Sequence, residues 1–415
     1  MTRENRPSFL LRPSNYFLIG FAVVLTSHLR WAENQWDLMV YYHAGERLWH
    51  GENPYEPDIP PGFENLSFLT VYVYPPIFVR VLSPFCLLPQ EVIRLSWLVL
   101  QALAFEGLYF AGLRLFGREF HPLSWALFHF VGVHHDPIMA DFRAGNTAAF
   151  EALALTCWAM WRLDLPRRAG AIVGTLIAIK PLLVFVLIWD LVRQKWKPLL
   201  WAVGFLGVVG LLMVCDFGLF KNYLDFLHSK TLQELNEEHT AGIYNYATVS
   251  VMYRLFTSET VFGPVWDAPL LAKTLTFLIP VVVWVTVFAG WRRLEGWADR
   301  IEANSLGFTL LMPSVLLTIP RVGDYNLAVL LVPLFFAGWR AWERRNHVAL
   351  NLFVLSGFVN NLPIYGGNLD SFSLEMHWLQ YRYVALVLFW LAALCMTFDR
   401  PTLKSISKSQ DSTRG

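Results

Sequence analysis

The sequence predicts an all-α polytopic membrane protein, and three observations carry that reading. Of its 415 residues 55% are hydrophobic and only 16% are charged, where a soluble chain carries about 25% charged residues. The missing charge is replaced by Leu, Val, Phe and Trp in about twelve long runs. Basic residues gather in short clusters between those runs, as they do on the cytoplasmic side of membrane proteins. Length alone would suggest two or three soluble domains, but the runs override that expectation. A net charge of +1 gives no global field for nucleic acid, and no nucleic-acid-binding motif is present, so no such partner is expected.

In chain order, Arg3, Arg6 and Arg12 precede the apolar stretch Tyr16–Thr26. That stretch ends in Ser-His-Leu-Arg-Trp, without a small-residue cleavage pattern, so an uncleaved signal anchor is expected. A spanning helix needs ~20 apolar residues, fewer where the bilayer thins. The candidate spans are 14–30, 91–114, 121–138, 146–162, 169–181, 182–193, 197–215, 269–291, 304–320, 324–342, 347–365 and 378–397. Two places are ambiguous. Residues 75–89 either span or lie re-entrant, and 169–193 is one helix or two short ones meeting at Lys180-Pro181. Proline favours the break, because it removes a backbone donor and clashes with the preceding turn.

Positive charge decides the topology. Arg114/Arg118, Arg162/Arg167/Arg168, Arg193/Lys195/Lys197, Arg292/Arg293, Arg340/Arg344/Arg345 and Arg400/Lys404/Lys408 all fall inside only if 75–89 does not cross and the chain turns at Lys180-Pro181. The expected organisation is one transmembrane domain over residues 1–400. It has an outer loop at 31–75, a second at 216–268, and a polar, disordered cytoplasmic tail at 401–415. Nearly every ionisable group outside the basic clusters then lands on the non-cytoplasmic side. Cys86, Cys157, Cys215 and Cys395 sit in apolar stretches with no metal-like spacing, and are expected as buried thiols.

Asn34–Tyr55, NQWDLMVYYHAGERLWHGENPY, is the most informative segment. A helix over 36–49 would put Met39, Val40, Ala44 and Leu48 on one face, lying in the interface with Trp and Tyr at headgroup level. Asp37 at its start is either a helix N-cap or a functional carboxylate.

An Asp-x-x-Val-Tyr after the first span (Asp37, Val40, Tyr41), then Gly51-x-Asn53-Pro54-Tyr55 and Tyr74-Pro75-Pro76, resembles the polyprenyl-phosphate-sugar-dependent transferases of the GT-C fold. Within these the chain is most similar to glycosyltransferase family 87, which includes alpha-mannosyltransferases. The likeness continues through Gly145-Asn146 and Gly170…Gly174…Lys180-Pro181, strongest over residues 14–200. It departs from the family pattern in two places: Asn146 stands where Gln is familiar, and GDYNL at 323–327 stands where mannosyl members often carry a His-Tyr pair.

The resemblance implies a GT-C architecture and transfer of a sugar, mannose by the family, from a polyprenyl-phosphate donor to a glycan or glycolipid acceptor with inversion. It implies no metal or other cofactor, membrane lipid as surroundings, and an active site facing outward from a plasma or inner membrane. Asp37 matches the catalytic carboxylate and is expected as general base, with Glu33 one turn earlier as fallback. Lys180, a lysine inside an apolar run, is a functional candidate by position and is assigned to the donor phosphate. Arg143 and Arg321, each within three residues of an Asp (Asp141, Asp324), are candidates for phosphate or sugar hydroxyls or for structural ion pairs. Tyr41, Tyr74, Asn146, Asp324, Tyr325 and His377 complete the expected substrate site. Asn360/Asn361, Tyr365 and Glu375 stand nearby, and the polar run Glu234–His239 with Tyr244-Asn245-Tyr246 borders an acceptor cleft or is a solvated face. His129, His134, His135 and Asp136 fit no metal spacing. A transporter or flippase of lipid-linked sugars is the alternative; it would want paired broken helices at the midplane, and only Lys180-Pro181 offers one.

Overall fold

In hydrocarbon every backbone N–H and C=O must be satisfied within its own segment, so the apolar runs fold as helices. A computed structural model describes residues 13–31, 35–57, 71–241, 245–258, 264–362 and 380–399, without the side chains of 238–241. Among them there is no strand, and the protein is an all-α polytopic membrane protein.

Helix α1 (Pro13–His28) is the first apolar run, and α2 (Trp36–Trp49) is the helix expected in the loop that follows it. The segment 75–89 forms a seven-residue α3 (Pro76–Leu82) and a 3-10 turn, Ser83–Leu87. At ~1.5 Å per residue the two together are too short to cross a ~30 Å hydrocarbon core. Next come α4 (Gln90–Leu115), α5 (Pro122–Val133), α6 (Asp136–Ala144) and α7 (Ala148–Trp161). The predicted span 121–138 is thus split at His134-His135, because Pro137 in the first turn of α6 cannot continue the preceding helix.

Helix α8 (Pro166–Ile179) stops at Lys180, whose φ and ψ of −125° and 91° are extended, as a residue preceding proline prefers. A 3-10 turn (Pro181–Val186) and α9 (Leu187–Val192) follow, then α10 (Trp196–Cys215). The expected loop 216–268 instead contains three helices, α11 (Phe217–Leu227), α12 (Lys230–Ala241) and α13 (Thr248–Phe256). Its polar surface hides an apolar seam: Leu219 and Phe226 of α11 and Val251 and Met252 of α13 are buried. The chain ends with α14 (Pro269–Glu295), α15 (Arg300–Thr318), a 3-10 turn (Asp324–Leu330), α16 (Leu331–Glu343), α17 (His347–Asn360) and α18 (Tyr381–Phe398).

Five helices, α4, α10, α14, α15 and α18, are long and apolar enough to cross a membrane, and the other apolar helices are shorter. Helix α15 is buried almost throughout, and α14, α16 and α18 pack around it. By contrast α10 and α14 carry exposed Leu200, Val203 and Leu211, and Leu270, Phe277 and Val285, which in this protein face lipid. Helices α8 and α10 meet closely at Gly170, where a Cβ would lie 2.6 Å from the Pro198 carbonyl oxygen. The histidines of α5 and α6 scatter. His129 pairs with Glu106 of α4, His134 bonds the Phe130 carbonyl, and His135 faces Asn361.

Two further buried ion clusters fix the helices. Arg162 was expected only as a topology charge, yet it is buried, donates to Asp190 at 2.8 Å and to Asn304 at 3.1 Å, and lies over the Trp189 ring. Arg382, at the first turn of α18, pairs with Asp324 at 2.9 Å and with Asp136 of α6. Breaking one side of such a buried pair is strongly destabilising.

Candidate active site

The site starts from α2. The predicted face of Met39, Val40, Ala44 and Leu48 is only part of what is covered; Leu38, Tyr41, Tyr42 and Gly45 are buried too. The reason is that α3 and the turn Ser83–Leu87 pack over α2, which the sequence placed at the membrane surface. The motifs Gly51-x-Asn53-Pro54-Tyr55 and Tyr74-Pro75-Pro76 lock together beside it. Tyr55 donates to the Tyr74 carbonyl at 3.1 Å and Tyr72 to the Pro75 carbonyl at 3.3 Å, while the Tyr55 ring stacks on Phe226 of α11.

Asp37 does not cap α2, whose N-cap is Gln35. Its carboxylate instead accepts a hydrogen bond from the Asn146 amide at 2.6 Å. Asn146 reaches it because of the turn between α6 and α7. Gly145 ends α6 with φ at 67°, a left-handed conformation that glycine adopts readily. A Cβ there would lie 2.8 Å from the Cβ atoms of Gln35 and Leu38. Asp141 holds the other end of the turn, accepting from the backbone N–H groups of Ala148 at 2.9 Å and Ala149 at 3.0 Å. It is therefore the cap of α7, not the partner of Arg143. Gln101 of α4 donates to the carbonyls of Asp141 and Asn146 at 3.1 Å each.

Asn146 is the hub of the cluster. Its NH₂ also donates to the Tyr41 hydroxyl at 3.2 Å, and Tyr41 donates to the Tyr74 hydroxyl at 2.9 Å. Its carbonyl faces Lys180 Nζ at 3.5 Å. Lys180 in turn pairs with Glu151 at 2.6 Å and lies over the rings of Tyr74 and Tyr325 at 5.8 and 5.7 Å. Burial pushes the Asp37 carboxyl above the usual aspartate range; the Asn146 hydrogen bond and the Lys180 and Arg321 charges pull it partly back. Arg321 thus contributes its charge, and among the described residues it forms no ion pair.

Of the residues expected from sequence, the structure gathers Asp37, Tyr41, Tyr74, Asn146, Lys180, Arg321 and Tyr325. Arg143 stands aside, its guanidinium over Trp31 and Trp36. Asp324 faces Arg382. His377, Glu33, Tyr365 and Glu375 lie outside the described residues. Glu151 and Thr147 were missed. Thr147 donates to the Glu151 carboxylate, whose side chain is only 5% exposed. The rule that singled out Lys180, an ionisable group in an apolar span, applies equally to Glu151 in AAFEALALTCWAMW.

A cavity of about 230 Å³ runs up to this pair. Phe78, Trp97, Leu100, Phe150, Leu176 and Ile179 form its walls, and Thr147, Glu151 and Lys180 close one end. Leu100 lies well inside α4, a helix long and apolar enough to span, and its side chain is exposed, so the cavity reaches the surface of that helix.

An all-α membrane scaffold that collects a carboxylate, a lysine and their hydrogen-bonding partners at helix ends has the makings of a membrane-embedded enzyme. Glycosyltransferase family 87 matches the chain over residues 72–320, more than half its length. The chain belongs to that family and is a membrane glycosyltransferase. The match begins after Asp37 and runs further towards the C-terminus than the motif likeness, taking in Asn146, Lys180 and, at its last residues, the approach to Arg321. None of the curated proteins matches the sequence.

Proposed function

We propose that this glycosyltransferase moves a hexose, mannose by family likeness, from a polyprenyl-phosphate donor to a glycan or glycolipid acceptor with inversion. The observation that carries the proposal is continuity: Asp37, Asn146, Lys180 and Glu151 form one connected line that ends at an apolar cavity reaching the surface of α4, which on this reading spans the membrane and puts the opening at bilayer depth. A polyprenyl phosphate has that same polarity, an anionic head on an apolar chain.

In this mechanism the acceptor hydroxyl attacks the anomeric carbon from the Asp37 side. Asp37 takes the hydroxyl proton as the new C–O bond forms, and the bond from the anomeric carbon to the phosphate oxygen breaks. The electron pair leaves with polyprenyl phosphate, whose growing charge Lys180 and Arg321 offset. General-base help is typically worth ~10²–10⁴-fold, and fixed charge at the leaving group is often the larger contribution. Asn146 orients the base, and Tyr41, Tyr74 and Tyr325 wall the space between base and lysine. The site faces outward on this reading, within one domain over 1–400.

The test is transfer from a radiolabelled polyprenyl-phosphate-mannose donor in membranes holding wild type or Asp37→Asn at matched levels. Transfer by wild type alone supports donor and base together. Equal transfer by both removes Asp37 as base. Transfer by neither rules out this donor under these conditions and moves the search to another sugar.

A further inference from the structure

We propose that Glu151 is a specificity-determining residue that keeps ordinary anionic phospholipids off Lys180. The inference rests on the reading that Lys180 receives the donor phosphate, and it answers a problem that reading creates. A lysine at the end of an apolar cavity that opens at bilayer depth would attract any lipid carrying a phosphate. Phospholipids with anionic heads meet both requirements, an apolar chain and a negative head, and in a bilayer they far outnumber a sugar carrier.

The geometry supplies the remedy. Lys180 already has a counter-ion, the Glu151 carboxylate at 2.6 Å, with side chains 18% and 5% exposed. Glu151 is itself held by the Thr147 hydroxyl one turn before it on α7. Both residues border the cavity, so a lipid head reaching Lys180 meets a carboxylate of its own sign. Only a ligand making further contacts can displace Glu151. The sugar of a glycosyl donor makes such contacts, because Asn146, 3.5 Å from Lys180, leads directly to Asp37. A phospholipid head lacks the sugar ring that would reach along this line to Asn146 and Asp37. Glu151 thus raises the cost of entry for every anionic head alike, and only the donor, through its sugar contacts, offsets it.

The experiment uses full-length protein reconstituted in phosphatidylcholine with increasing phosphatidylglycerol, and measures phosphatidylglycerol retained per protein. Wild type and Lys180→Met should retain equally little. Glu151→Gln should retain at least about tenfold more, the worth of one charge-assisted contact, and Glu151→Gln/Lys180→Met should lose that gain. Glu151→Asp, which keeps the charge, should exclude the lipid as wild type does. The proposal is overturned if Glu151→Gln retains no more than wild type, or if its gain survives loss of Lys180. Should Glu151→Gln not fold, Glu151→Met, which also removes the charge, takes its place under the same criteria, and retention in wild type that Lys180 supplies contradicts exclusion by itself. Donor KM, measured separately on Lys180→Met, tests the donor reading: an unchanged KM removes that reading while the lipid-retention result stands.

Discussion

On the proposed mechanism Asp37 does two opposed things. It sits where burial favours the protonated form, yet a general base must be ionised. Asn146 moderates the conflict, because donating to the carboxylate favours its charged form. Activity should therefore fall as pH drops through the pKa of Asp37, with that limb above the ~3.9 of an ordinary aspartate. Asn146→Ala removes a contact that lowers the pKa, so the limb should move to higher pH; a kcat–pH profile unchanged by the substitution would contradict the assignment. Asp37→Asn should lose ~10²–10⁴ in kcat. It should not lower the thermal midpoint, since it removes a charge that burial disfavours. A kcat loss accompanied by a large fall in midpoint would mark Asp37 as structural.

At the scale of elements, the turn joining α6 to α7 decides whether α2 can bring its carboxylate to Asn146. Gly145→Ala would force a side chain into a left-handed backbone already touching Gln35 and Leu38. It should cost ~1–3 kcal/mol and separate Asp37 from Asn146, lowering kcat in protein that still inserts; unchanged kcat and thermal midpoint would show that α2 adapts. Much of this element's role was readable in the sequence, since Gly145-Asn146 opens an apolar run and Pro181 marks the break beneath Lys180. What could not be read were contacts made through space. Glu151 stands out as an ionisable group in an apolar span, but its pairing with Lys180 could not be read. Likewise α11 to α13 read as a polar loop, because each is too short and too interrupted by polar residues to register as an apolar run. The splitting of 121–138 has a sequence signal that the span overrode, since His134-His135-Asp136 interrupts the apolar run directly before Pro137.

For the whole molecule, orientation and integrity are separable. If the site faces outward, Glu52→Cys, on the exposed end of the outer loop, should react with a membrane-impermeant thiol reagent in intact cells. Arg292→Cys should react only after permeabilisation; the reverse pattern would invert the proposed topology. Arg382→Gln should destabilise the protein by ~3–5 kcal/mol, read as a fall in thermal midpoint in detergent. It leaves Asp136 and Asp324 without their buried guanidinium; a midpoint equal to wild type would show that water has replaced the pair. Nothing local in the sequence marks Arg382, because its partner Asp136 lies 246 residues upstream.

That separation has a consequence during synthesis. The ribosome releases α6 and the turn at Asp324 long before α18, so two carboxylates wait at their places for a cation that arrives with the last helix. Until then the segment carrying Arg321 and Tyr325 has no anchor on that side, and the nascent protein is an inserted but unfinished bundle. A chain stopped after Leu330 and before Tyr381 would carry Asp37, Asn146 and Lys180 and still lack the guanidinium that pairs with Asp136 and Asp324. Such fragments are natural targets for membrane quality control, and completion of the last helix becomes the moment at which the enzyme is licensed to work.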